Sequence, residues 1–156
     1  MATVTDADVS RVAALVTPGS RVGVDGRDAA GKTTFADALA AVLPPPVTRV
    51  RLDDHHRPAE QRVDYYRDAF DLAAFAAAVR AAAGTVVADG VFLFRPELDP
   101  LWDLRVRLEV DPAEQLRRAA ARGDAVDRYA TRYRPAHDAY EAAVRPTERA
   151  DVVLPA

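Results

Sequence analysis

Gly26-Arg27-Asp28-Ala29-Ala30-Gly31-Lys32-Thr33 fits the pattern G-x-x-x-x-G-K-[ST] at every fixed position. Its glycines permit a backbone curl that aims N–H groups at phosphate oxygens, and a helix opening directly behind it adds the partial positive charge of its N-terminus at the same point. Lys32 then reaches the β and γ phosphates, and the Thr33 hydroxyl can ligate Mg²⁺. The pattern carries this meaning only between a strand and a helix. Both flanks comply. Arg21 to Asp25 alternates its valines and runs straight into glycine, as a buried strand does. Lys32 to Leu43 presents Phe35, Ala38, Leu39 and Val42 on one helical face until Pro44-Pro45-Pro46 stops it. The segment from Gly26 through Thr34 is therefore expected to bind ATP with Mg²⁺.

Composition narrows what surrounds that loop. A chain of 156 residues, 49 % of them hydrophobic, can bury one core, so residues 1–156 are expected to form a single domain. There is no cysteine, which excludes disulfides, zinc-thiolate sites and thiol nucleophiles. A net charge of -3 argues against a dedicated nucleic-acid binder and favours a small-molecule substrate. Met1 to Val9 lacks a basic start followed by an apolar run, and no stretch reaches the roughly 18 to 20 apolar residues of a membrane span. No membrane partner and a cytoplasmic location are expected; the oligomeric state is left open. Asparagine is absent, so the asparagine-lysine-x-aspartate segment that reads guanine in GTP switches is missing. Lys32 is the sole lysine among 21 basic residues. Where arginine is used everywhere else, a lysine marks a place that needs a compact point charge.

Periodicity extends the strand-helix alternation along the chain. Thr5 with Asp8 reads as a helix start, with Val9, Val12, Ala13 and Val16 in register. Val47 to Leu52 reads as a second strand leading into a polar loop, Asp53 to Pro58. Asp71 to Ala83 reads as a helix closed by Gly84, and Thr85 to Ala88 as a strand ending at Asp89-Gly90. Leu104 to Val110 is a further strand, followed by a helix opened by Asp111-Pro112 and running to Arg122. Arg134 to Val144 is another helix, broken by Pro146, and Val152 to Leu154 is a last strand. The fold expected is α/β: a three-layer sandwich with a mainly parallel five-stranded sheet and helices on both faces.

Acidic residues at the carboxyl ends of strands are candidates for chemistry, because ligands of such sheets collect there. Asp89 is the candidate for a second metal-side group beside Thr33. Asp53, ahead of Asp54, is placed to take a proton from an attacking hydroxyl. His55 and His56 lack a third ligand in sequence reach, so they make a weak metal site. Six arginines between Arg117 and Arg134 face two acids there, Asp124 and Asp127. They form either a solvated face or a lid that closes on the triphosphate, with Arg118 and Arg122 one helical turn apart.

With these residues in hand, the chain resembles the uridine kinase and phosphoribulokinase group of P-loop kinases, and small bacterial uridine kinase-like proteins in particular. The markers span nearly the whole chain: Val24-Asp25-Gly26, Leu52-Asp53-Asp54 with His56-Arg57-Pro58, Asp68-Ala69-Phe70-Asp71, Asp89-Gly90-Val91-Phe92-Leu93, and Arg145-Pro146-Thr147 with Ala150-Asp151-Val152-Val153. The resemblance implies that Asp53 is the base for the acceptor hydroxyl, that Asp68 binds ribose hydroxyls, and that Asp89 stands beside the metal. It places Arg118 and Arg122 on a lid helix, and the adenine ring near Ala150 to Pro155. The chain is short between Arg57 and Asp68 and lacks the hairpin that reads a pyrimidine in that group; Tyr65 and Tyr66 either stack on a base in its place or are half-buried packing residues at a helix start, the commoner use of such a pair. The activity implied is transfer of the γ-phosphoryl of ATP to a hydroxyl of a nucleoside or related polyol. The residues themselves leave open an ATP-binding module without transfer and a kinase for another acceptor, such as a vitamin, an antibiotic or a nucleotide.

Overall fold

Thr5 opens the first helix by a reciprocal cap: its hydroxyl accepts from the Asp8 N–H, and the Asp8 carboxylate accepts from the Thr5 N–H. A computed structural model describes residues 3–123 and 126–156 of the chain. Its elements in order are α1 (Asp6–Ala13), β1 (Arg21–Gly26), α2 (Lys32–Val42), β2 (Val47–Arg51), α3 (Tyr65–Asp68), α4 (Leu72–Ala81), β3 (Thr85–Gly90), β4 (Leu104–Glu109), α5 (Pro112–Ala121), α6 (Val126–Arg128), a π-helical turn (Tyr129–Tyr133), α7 (Arg134–Val144), α8 (Pro146–Arg149) and β5 (Val152–Pro155).

The strands lie in the order β2-β3-β1-β4-β5, and every neighbouring pair is parallel. Alternation along each strand divides the core into two layers. Val22 and Val24 of β1, Val87 of β3, and Val106 and Leu108 of β4 pack with Val12 of α1 and Phe35 and Leu39 of α2. Val86 and Ala88 of β3 face the opposite layer with Phe75 and Val79 of α4 and Tyr140 and Val144 of α7. Valine-rich strands apolar on both faces need cover on both, which is why the sheet is parallel and sandwiched. On the α7 side Gly23 is required by close approach: a Cβ there would lie 2.6 Å from the Trp102 ring.

Two local readings are corrected. β2 stops at Arg51, and Leu52–His55 forms a 3-10 turn rather than a loop, because Leu52 is drawn into the core while its polar neighbours stay outside. Pro146 opens α8 instead of only ending α7; Arg145 adopts φ +55 between them, and proline suits a first helical position. The stretch Val91–Phe94, given no element from sequence, is wholly buried.

Candidate active site

β1 runs between β3 and β4, so the loop after Gly26 emerges at the middle of the sheet's carboxyl edge. Gly31 sits at φ +86 as the residue before α2, and no side chain caps that helix. The first N–H groups of α2 have no intrahelical acceptor, so an uncapped start leaves them directed at whatever occupies the loop. A cavity of about 210 Å³ lies there, lined by Asp28, Ala29, Gly31, Lys32, Thr33 and Thr34 from the loop, and by Asp53, Asp89 and Arg122 from elsewhere.

Lys32 Nζ donates to the Arg27 carbonyl at 2.7 Å, which holds the ammonium across the mouth of the loop. Burial pulls Lys32 below its ordinary value of 10.5, against the opposing pull of Asp28, Asp25, Asp53 and Asp89. The Thr33 hydroxyl donates to Asp89 Oδ2 at 2.9 Å. Arg49 of β2 donates to the other oxygen of Asp89 at 2.7 Å and to Asp37 at 3.0 Å, so the carboxylate is fixed from two sides. A hydroxyl and a carboxylate side by side are hard oxygen donors of the kind Mg²⁺ takes, and the uncapped helix start suits a phosphate; the residues fit both groups.

A second cleft, of about 650 Å³, adjoins the first. Asp28, Asp53 and Arg122 line both. The cleft is otherwise walled by His56, Tyr65, Arg128, Tyr129 and Tyr133, the two last presented by the π-helical turn. The Tyr65 ring meets Tyr133 edge-on at 4.7 Å between centroids. Asp53 is a solvent-facing carboxylate, 62 % exposed, with His56 3.9 Å away. Asp28 Oδ2 lies 2.7 Å from His137 Nε2, and the Tyr65 hydroxyl donates to Asp28 at 3.3 Å. Burial alone would raise the Asp28 pKa, but His137, Lys32 and Tyr65 bring it below the ordinary carboxylate value.

Several residues singled out by sequence stand elsewhere. The Arg27 side chain turns from the cavity at the loop and pairs with Asp138 and Glu141 of α7, leaving only its backbone to the loop. Gly26 and Ala30 also lie outside the lining of that cavity; Ala30 lines a separate apolar cavity of about 290 Å³ with Thr34, Phe35, Ala38, Arg118 and Ala156. Arg118 donates to Glu114 and to the Ala29 carbonyl at 3.3 Å, while Arg122 lines the two polar cavities. The two arginines thus face different spaces. Asp68 is not part of the cleft lining: its carboxylate pairs with Arg67 and accepts from the Asp64 N–H. Tyr66 packs on Phe92 with Arg95 over its ring. His55 and His56 lean on Phe75 and Phe70. Within the arginine-rich stretch, Asp124 lies outside the described residues.

Sequence reading missed the ionic cluster behind the loop. Arg107 of β4, 1 % exposed, donates to Asp25 at 2.7 Å and to Glu141 at 2.6 Å, and pairs with Glu109. Tyr140 donates to Asp25 at 3.0 Å, and Asp25 also accepts from the Leu93 N–H. His137, Tyr140 and Glu141 thus tie one face of α7 to the loop after Gly26 and to β1. Two signals were available: charged residues at Arg49 and Arg107 inside apolar strands, and polar residues at helical spacing in α7.

Among solved structures, the chain is similar to one described as a possible uridine kinase from Bacillus stearothermophilus. The TM-score is 0.74 and the identity 21 %, over 94 % of this chain and 96 % of that one. The chain has a P-loop kinase-like fold. No family model matches it. Among the described residues no helix is long and apolar enough to cross a membrane, and no group of three His, Cys, Asp or Glu side chains is placed to hold a metal ion.

Proposed function

We propose that this protein is an ATP-dependent small-molecule kinase that transfers the γ-phosphoryl group to a hydroxyl of a nucleoside or related polyol. The observation that carries the reading is the junction of the two cavities: a phosphate cradle with Lys32, Thr33 and Asp89, opening through Asp53 into a cleft large enough for a small acceptor. The fold shared with a possible uridine kinase supports the same class. Residues 1–156 would act as one unit, with the stretch 117–134 as the lid.

In this scheme the loop N–H groups and the start of α2 bind the triphosphate, and Lys32 exchanges the Arg27 carbonyl for β and γ oxygens. Thr33 and Asp89 would hold Mg²⁺, which when bound would neutralise charge on the phosphates. Asp53 accepts the proton of the acceptor hydroxyl as its oxygen bonds to the γ phosphorus. The bond to the β-phosphate oxygen breaks and ADP leaves. Arg122, at the shared wall, stabilises charge on the group in transfer, and Arg118 closes the nucleotide side, where the apolar cavity accommodates adenine. The tyrosines of the cleft offer faces for a base or sugar.

The scheme divides roles in a way that kinetics and binding can separate. Asp53→Asn is expected to keep ATP affinity within about threefold while lowering kcat by about 10²-fold or more, the scale of general-base catalysis. Lys32→Ala is expected to lose both. Equal loss of ATP affinity in the two variants, by equilibrium titration, would refute the division.

A further inference from the structure

A phosphate cradle has no use for a carboxylate of its own, yet Asp28 stands in this one. It is one of three side chains that line both the phosphate cavity and the acceptor cleft, with Asp53 and Arg122. Its orientation is fixed without any ligand. His137, whose side chain is 2 % exposed, holds Oδ2 at 2.7 Å, and Tyr65 reaches both oxygens at 3.3 and 3.4 Å. An ionised carboxylate offers about four acceptor sites. Among the described residues Oδ1 has only the long tyrosine contact, and 26 % of the side chain remains open to solvent.

Anchoring α7 to the loop does not account for this arrangement. Arg27 already makes that connection through hydrogen bonds to Asp138 and Glu141, away from the phosphates. A second anchor made from an anion beside bound triphosphate would only add repulsion. A carboxylate oriented by buried partners, with lone pairs left over at the wall of an acceptor cleft, is instead arranged to receive hydrogen bonds from a ligand.

We propose that Asp28 holds a second hydroxyl of the acceptor, so that the substrate is a polyol with one hydroxyl at Asp53 for transfer and a neighbouring one at Asp28 for recognition. The inference rests on the kinase reading and adds to it the class of acceptor and a specificity residue. Asp28 takes over, within the loop, the hydroxyl-binding task that the resemblance gave to Asp68, whose carboxylate is paired with Arg67.

The test is steady-state phosphoryl transfer by wild type, Asp28→Asn and Asp28→Ser. The acceptor is the one that stimulates ADP release, and it is compared with each of its monodeoxy analogues. In wild type, deleting one hydroxyl other than the phosphorylated one is expected to raise the acceptor KM by about 10- to 100-fold, as for a hydrogen bond to a charged group. In the Asp28 variants the same deletion is expected to cost about threefold or less, a coupling that a purely structural role for Asp28 would not produce. A full deletion penalty in a folded Asp28 variant overturns the inference and leaves the kinase reading standing. So does a wild type indifferent to every deletion, a measurement that needs no variant to fold. Absence of acceptor-stimulated ADP release in wild type removes the kinase reading and this inference together.

Discussion

Thr33 and Asp89 are 56 positions apart in sequence and meet in one hydrogen bond of 2.9 Å. That contact sets a hydroxyl beside a carboxylate, the pair proposed to hold the metal, and Arg49 keeps the carboxylate from swinging away. Thr33→Val is nearly isosteric and removes only the oxygen. It is expected to raise the Mg²⁺ concentration for half-maximal ADP release by about tenfold or more, the scale of losing a metal ligand or its partner. An unchanged Mg²⁺ dependence would place the metal elsewhere. At this scale the turn between β1 and α2 was legible because its instruction is local: glycines, a lysine and a hydroxyl lie within eight residues between an apolar strand and a helix. The direction of Arg27 was not, since it is set by Asp138 and Glu141, 111 and 114 positions later. Asp28 was legible as a loop member only, because the orientation of its carboxylate depends on Tyr65 and His137.

α7 shows what periodicity finds and what it overlooks. Its bounds, Arg134 to Val144, match those read from sequence, and Tyr140 and Val144 pack into the core as its apolar stripe requires. The same face also carries His137 and Glu141 toward the loop after Gly26, a use of polar residues that hydrophobic spacing cannot reveal. The π-helical turn before it was likewise unreadable, because π geometry has no compositional signature, though such turns are frequent at functional sites. Glu141 holds two arginines, Arg27 and Arg107, at once. Burial opposes its ionisation, but the arginines bring its pKa below the ordinary value of 4.5. A carboxylate with a lowered folded-state pKa contributes stability that is fully present above 4.5 and fades as pH falls through the lower, folded value. Glu141→Gln is therefore expected to be less stable at neutral pH by about 1 to 3 kcal/mol, the cost of a buried pair discounted for its partial exposure. In urea unfolding its stability should fall less steeply than wild type below that pH. Parallel acid profiles for the two proteins would show that the cluster does not carry this charge.

Across the whole molecule, the alternation of valine-rich strands with helices was enough to read a parallel, doubly covered sheet. The order β2-β3-β1-β4-β5 was not readable, because it depends on which strand edges meet after the helices have crossed. The consequence of that order is functional. It sets β1 beside β3, so that the loop after Gly26 and the acid at Asp89 share one edge, and it brings the turn after β2, with Asp53, to the same edge. The residues proposed for nucleotide, metal and acceptor thus converge on one cavity from segments that are distant in the chain. The most direct test of that convergence is ADP release from ATP·Mg²⁺ with a panel of nucleosides, sugars and vitamin alcohols, run beside Asp53→Asn. Release stimulated by a hydroxylated acceptor and lowered about 10²-fold or more in the Asn variant is the predicted result. ATP binding without stimulation by any acceptor, or stimulation undiminished in Asp53→Asn, would contradict it.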